Sequence, residues 1–274
     1  MVGRLGIIAG GGALPDLVAN VAKASGREIF VLAIIDHALV KMVEGLPHAW
    51  IHIGEIERGI DILHKQDIVD LIMVGSIRRP TLHDLHYPDF RTIKFFTRLG
   101  LRALGDDGLL KAIISELESE GFRVLGLQDV LGGILAKDGV WGNIKPNDIA
   151  KADIEHATKV AHFLGVLDIG QAVVVQQGIV LGVEAIEGTD ALLNRVKDLR
   201  RSGSGGVLVK IAKLNQERRV DLPTIGVQTV KNAAIAGLAG IAVEVGLVIV
   251  IDYPMVVTVA NDAGLFICGV LRNE

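Results

Sequence analysis

The first 130 or so residues alternate strand-length apolar runs with helix-length amphipathic segments, and that order leaves few folds open. The runs "LGIIAG", "EIFVLAII", "AWIHIG", "DLIMVGSI" and "FRVLGLQDV" read as strands, and "LPDLVANVAKAS", "IERGIDILHKQ", "IKFFTRLGLRA" and "GDDGLLKAIISELESEG" as helices. In the last of these Leu109, Leu110, Ile113, Ile114 and Leu117 share one helical face, with acids opposite. Apolar strands joined by amphipathic helices predict a mainly parallel sheet covered on both faces, and right-handed crossovers make it doubly wound. The expected fold is α/β: a Rossmann-like N-terminal domain over 1–132, a linker over 133–147 and a distinct C-terminal α/β domain over 148–274.

The linker reading rests on the glycine-rich texture of "LGGILAKDGVWGNIKPND". Beyond it the pattern predicts a helix over roughly 148–164 and two strands joined at Gln177-Gly178. A helix at "TDALLNRVKDLR", a flexible loop at "RRSGSGG" and a strand at "VLVKIAK" follow. The stretch 233–251 is about as long as a membrane span. Glu244 near its middle and glycines at 237, 240 and 246 favour a short helix followed by buried strands. A chain of 274 residues, half of them hydrophobic, has a core to bury and is not disordered. The net charge of −4 gives no basic footprint for nucleic acid. A lone cysteine, Cys268, allows no intrachain disulfide and no cysteine-rich metal site. With an N-terminus too glycine-broken for a signal peptide, this fits a reducing cytoplasm.

Ligands of doubly wound sheets gather at the carboxyl ends of strands near a switch point. "GGGALP" and "GSIRRP" both follow strands in this way. Gly10-x-Gly12 begins the dinucleotide fingerprint, yet Pro15 stands where its third glycine belongs, while Asp36 ends the second strand like a ribose-binding acid. The turn therefore approaches a phosphate or merely turns sharply into the helix. In the second half, "VEAIEGTDALL" sets Glu184 and Glu187 by a strand end, with Thr189 and Asp190 at a helix start. Thr189 is an N-cap and Asp190 a dipole partner, or the acids share a crevice with a metal and a phosphate. Asp221 precedes Leu222-Pro223, which holds its neighbour extended; the alternative is an ion pair with Arg218 or Arg219. Lys210 and Lys213 point to opposite sides if both lie in a strand. Asp106 and Asp107 begin a helix, and His83 and His86 lack a third ligand. Oxygen-rich acids without a histidine cluster suit Mg²⁺ or Mn²⁺.

Taken together, "LGIIAGGGALP", "GSIRRP", "GDDGLL", "DIGQAVVV", "GIVLGVEAIEGTDALL", "GGVLVKIAK", "VDLPTIGVQTV" and "NDAGLFICGV" resemble the LpxI-type UDP-2,3-diacylglucosamine pyrophosphatases, in order, from about residue 4 to 270. The resemblance implies a Mg²⁺-dependent hydrolase of lipid A biosynthesis in Gram-negative bacteria. It would release UMP and 2,3-diacylglucosamine 1-phosphate from a substrate held between two α/β domains, with Asp221 as the essential aspartate. On this reading Asp221 ligates the metal or orients water, and Glu187, Asp190 and Glu184 complete the metal shell. Gly11, Gly12, Ala13 and Leu14, with Ser76, Ile77 and Arg78, line the nucleotide side. Asp106 and Asp107 also bind substrate, as do Thr189 and Thr224, and Lys210 or Lys213 meets a phosphate. Two acyl chains call for an apolar groove, and peripheral contact with the inner membrane and a homodimer are compatible with it. The competing expectations are an NAD(P)-dependent oxidoreductase, resting on Gly10, Gly12 and Asp36, and a non-catalytic carrier of a nucleotide or acyl-sugar.

Overall fold

A computed structural model describes residues 3–78, 88–99, 106–213 and 217–272, without the side chains of Leu99, Asp106 and Asp107. The chain divides into two compact units. The first comprises 1–132 with 217–221, and the second 133–216 with 222–274.

The first unit runs β1 (Leu5–Ala9), α1 (Leu14–Ala24), β2 (Ile29–Ile34), α2 (Val40–Val43), β3 (His48–Ile51), α3 (Ile56–Lys65), β4 (Asp70–Val74), α4 (Phe90–Leu99), α5 (Asp106–Ser119), β5 (Arg123–Leu125) and α6 (Leu127–Leu131). The five strands are all parallel, in the order β3-β2-β1-β4-β5, so the switch point lies between β1 and β4. This is the expected doubly wound sheet. Every residue of β2 and β4 is buried, which is why both read as unbroken apolar runs rather than as alternations. α1 starts on a proline and buries Pro15, Val18, Ala19 and Ala22 at helical spacing. The expected strand over "FRVLGLQDV" is shorter than its apolar pattern. It ends at Leu125, where the Asp129 carboxylate accepts the Gly126 N–H at 2.8 Å and starts α6 instead.

The second unit holds β6 (Gly139–Val140), α7 (Asp148–Val166), β7 (Ala172–Gln176), β8 (Ile179–Val183), α8 (Thr189–Val196) with a 3-10 turn at Lys197–Leu199, β9 (Val207–Lys210), β10 (Thr224–Ile225), α9 (Val227–Ile235), β11 (Gly240–Glu244), β12 (Ile249–Val250), α10 (Tyr253–Asp262) and β13 (Phe266–Val270). Its main sheet is mixed, in the order β6-β13-β11-β9-β7-β8, and β10 pairs with β12 separately. β9, β11 and β13 are parallel, while β7, β8 and β6 close the two ends antiparallel. Alternation sorts the side chains. Val173, Val175, Val207 and Val209 pack with Ala157 and Ala161 of α7, whereas Val174, Leu208 and Ile241 pack with Leu192, Val230 and Val256 of α8, α9 and α10.

The Asn147 side chain accepts from Ala150 N–H at 2.9 Å and caps α7 where a helix start was expected, a contact worth about 1 kcal/mol. The β7–β8 hairpin turns at Gln177-Gly178, and the buried Asp153 carboxylate accepts both turn N–H groups at 2.8 and 2.7 Å. The stretch 133–147, expected as a linker, is part of this unit. β6 pairs with β13, and Trp141 beside it is buried in the core, where its indole N–H donates to the Lys137 carbonyl. Residues 233–251 form the end of α9, then β11 and β12, with Glu244 buried against Arg272. No helix of the described residues is long and apolar enough to cross a membrane.

Candidate functional site

At the carboxyl edge of the first sheet, backbone groups join the loops that follow β1 and β4. After β1 the Gly11 N–H donates to the Ser76 carbonyl at 2.8 Å, and the Ser76 N–H donates back to Gly11 at 2.9 Å. The loops after β1 and β4 are thus stitched together at the switch point. A Cβ on Gly75 would come 2.6 Å from the Gly11 carbonyl oxygen, and Gly75 has φ +97. Glycine is needed here so that one loop can touch the other, which answers part of what the "GGG" turn is for. Gly12 differs: its φ is +90, but nothing lies within 4 Å of where a Cβ would point. Gly12 and Ala13 are exposed, as are Ser76, Ile77 and Arg78, while Gly11 and Leu14 are half-buried. The backbone at Gly12–Leu14 enters α1 without a side-chain cap. Asp106 opens α5, but its side chain and that of Asp107 lie outside the described residues, as do His83 and His86.

In the second unit four of the expected residues converge. Glu184, just past β8, is 5 % exposed, and Lys210, the last residue of β9, is 6 % exposed. The Thr189 hydroxyl donates to Glu184 Oε1 at 2.7 Å and accepts from Lys210 Nζ at 2.8 Å; Lys210 also donates to the Thr224 carbonyl at 2.9 Å. Gln171 N–H reaches the other Glu184 oxygen at 3.2 Å. A buried ammonium and a buried carboxylate are thereby joined through one hydroxyl, which satisfies charges that would otherwise be costly to desolvate. Thr189 is consequently not an N-cap. Gly188 occupies that position without a side-chain bond, and Thr189 is the first helical residue. Lys213 diverges from Lys210 and pairs with Asp168 at 2.7 Å.

The remaining acids are dispersed. Glu187 is exposed and paired with Arg195 at 2.7 Å. Its own backbone N–H and the Arg195 guanidinium hold its carboxyl below the ordinary range. Asp190 accepts from Asn232 at 2.8 Å. Asp221 belongs to the segment counted with the first unit. Among the described residues no three His, Cys, Asp or Glu side chains gather where they could hold a metal ion. Of the acids expected as a metal shell, Glu184, Glu187 and Asp190 lie in the second unit and Asp221 in the segment that belongs with the first. Asp190 accepts from Asn232, Glu187 pairs with Arg195 and Glu184 accepts from Thr189, and each carboxylate keeps lone pairs beyond these bonds.

Asp221 itself is half-buried, and its carboxylate has no hydrogen bond or ion pair among the described residues. The ion pair with Arg219 left open from the sequence goes elsewhere. Arg219 grips Glu217 through Nε at 2.9 Å and Nη2 at 3.1 Å, and reaches Glu118 of α5 through Nη1 at 2.6 Å. Val220 packs on the first unit's core, a cluster that includes Ile114 and Leu117 of α5. The Asp221 N–H donates to the Glu217 carbonyl at 3.0 Å, which closes the turn. Sequence reading missed Glu217 and Glu118. The run "QERRVD" contained Glu217, but no local signal pointed to a partner 101 positions away.

Comparison with known proteins agrees with the two-unit division. Residues 4–134 match the LpxI N-terminal domain and residues 137–268 the LpxI C-terminal domain. A UDP-2,3-diacylglucosamine pyrophosphatase LpxI from Caulobacter vibrioides is 42% identical over 278 residues, covering 99% of both chains. Among solved structures, a UDP-glucose 4-epimerase complex with NAD from Thermus thermophilus aligns at TM-score 0.32 and 13% identity, over 99% of this chain and 86% of that one. With both family domains present in order, and a relative of that identity matched end to end, the chain belongs to the LpxI family.

Proposed function

We propose that this chain hydrolyses UDP-2,3-diacylglucosamine to UMP and 2,3-diacylglucosamine 1-phosphate, a step of lipid A biosynthesis. The name of the Caulobacter vibrioides relative supports the substrate. The observation that carries the residue assignment is the unengaged Asp221 carboxylate on a turn whose neighbouring charges satisfy one another. Hydrolysis of a diphosphate needs a water held in line with a phosphorus atom, and charge stabilisation for the oxygens that gain charge. In the proposal Asp221 accepts a hydrogen bond from that water and takes its proton as the new P–O bond forms and the bridging P–O bond breaks. Lys210 supplies fixed positive charge from a buried position, oriented by Thr189 and the Thr224 carbonyl. Exposed backbone at Gly12 and Ala13, with Ser76 and Arg78, offers contacts for the nucleotide.

A divalent cation, Mg²⁺ or Mn²⁺, remains part of the proposal because it would offset diphosphate charge. Glu184, Glu187 and Asp190 are the oxygen donors that the second unit would offer the ion, although among the described residues no three such side chains gather at one point. Its requirement is measurable: EDTA should stop UMP release, and either cation should restore it.

Purified protein incubated with UDP-2,3-diacylglucosamine and Mg²⁺ should release UMP. Asp221→Ala should lower kcat by about 10²–10⁴-fold with unchanged thermal stability. Equal turnover would remove Asp221 from the reaction. A folded wild type that retains the ligand without releasing UMP would favour the carrier reading instead.

A further inference from the structure

The segment 217–221 is counted with the first unit although residues on both sides of it belong to the second. Its attachment is specific. Val220 is packed on the apolar core beneath α5, and Arg219 bridges Glu217 in the turn to Glu118 on α5. The turn is closed twice, since the N–H groups of Val220 and Asp221 both donate to the Glu217 carbonyl, at 3.2 and 3.0 Å. Immediately afterwards Leu222 is held extended by Pro223. Among the described residues, Glu217, Arg219 and Val220 hold the turn just upstream of Asp221.

We propose that Arg219 is a positioning residue, which clamps the Glu217–Asp221 turn to Glu118 of α5 and so fixes where the Asp221 carboxylate stands. The inference rests on the proposed role of Asp221 and adds the device that aims it. The guanidinium suits the task because its planar fork engages both Glu217 oxygens while its remaining Nη1 reaches Glu118. Lysine would offer a point charge without that geometry. The same hydrogen bonds from Arg219 hold the Glu217 carboxyl below its ordinary value of 4.5, so the clamp is charged on both sides at neutral pH. Arg219 is not a catalytic residue on this account: nothing requires it to touch the substrate, and its effect reaches the reaction only through Asp221.

The test compares steady-state UMP release from UDP-2,3-diacylglucosamine with amide hydrogen exchange in the full-length protein. Arg219→Ala should lower kcat by about tenfold to a hundredfold with KM within about twofold of wild type, because a misplaced reacting group costs rate rather than ground-state binding. Exchange at the Val220 and Asp221 N–H groups should quicken while the β1 and β4 amides stay protected. Arg219→Lys should recover part of kcat. Glu118→Gln should give a smaller loss, and adding it to Arg219→Ala should cost nothing further, since the two act through one contact. Additive losses would overturn the proposal, as would turnover in Arg219→Ala within twofold of wild type with exchange unchanged. Equal loss in KM and kcat alongside global destabilisation would overturn it too, by making Arg219 merely structural. The absence of UMP from the wild type would instead overturn the substrate reading, and the exchange data would still decide whether Arg219 holds the turn.

Discussion

At the strand ends of the first unit the groups that join neighbouring loops are peptide groups, brought together by glycines. In the second unit they are side chains, with Glu184, Thr189 and Lys210 linked in series at the ends of β8, α8 and β9. A backbone edge depends on the space available to the main chain and is indifferent to pH. A side-chain cluster depends on charge and tolerates changes of volume around it less predictably.

The sharpest way to break this contrast is to crowd the backbone edge. Gly75→Ala should destabilise the first unit by about 2–5 kcal/mol, combining positive-φ strain with overpacking against Gly11. Urea denaturation would measure it. Cys268 provides a control in the other unit. It is buried in β13, and burial pushes its thiol up to about 11, so it should resist a thiol reagent at pH 8 until its own unit opens. Labelling that tracks the Gly75→Ala transition would show that the units unfold as one.

Next in size, Lys210→Met should lower kcat/KM by about 10–100-fold, the loss of a charged hydrogen bond worth about 1.5–3 kcal/mol. The Glu184–Thr189 contact should survive, since it does not pass through the ammonium. An unaffected kcat/KM would remove the second unit's charge from the contrast. Smaller again is Gly12→Ala, which meets open space and should cost only the strain of its φ, about 1–2 kcal/mol. Any loss of activity beyond that fall in stability would mark a ligand's close approach.

The smallest effect is acid sensitivity of the clamp. Because Arg219 depresses the Glu217 carboxyl, the stability this provides is complete above about pH 4.5 and is lost as pH falls through the lowered value. Hydrogen exchange at Asp221 over that window should rise more in wild type than in Arg219→Ala.

What could be read from the sequence follows from how local each cause is. β2 and β4 are buried on both faces, so their apolar runs announce a parallel sheet, and Asn147 signals the start of α7 within a few residues. Trp141 looked like linker because its burial depends on β13, a strand at the far end of the chain. Thr189 looked like a cap because nothing nearby reveals Lys210 across the sheet. The acids of "VEAIEGTD" read as a metal shell from their spacing, which could not show that Glu187 also pairs with Arg195 and that Asp190 accepts from Asn232. Asp221 is the opposite case: the motif resemblance points to it, whereas the ion pair of Arg219 with Glu118 next to it has no local signal in the sequence.

The discontinuous make-up of the first unit also bears on how such a gene can be divided. A split at residue 132 gives an N-terminal fragment that lacks Val220 over its core and the partner of Glu118, and a C-terminal fragment with a loose end where a turn should be seated. A fragment ending at residue 132 should therefore be less stable to urea than the same unit within the whole chain, and supplying a peptide that carries 217–221 should restore part of the difference.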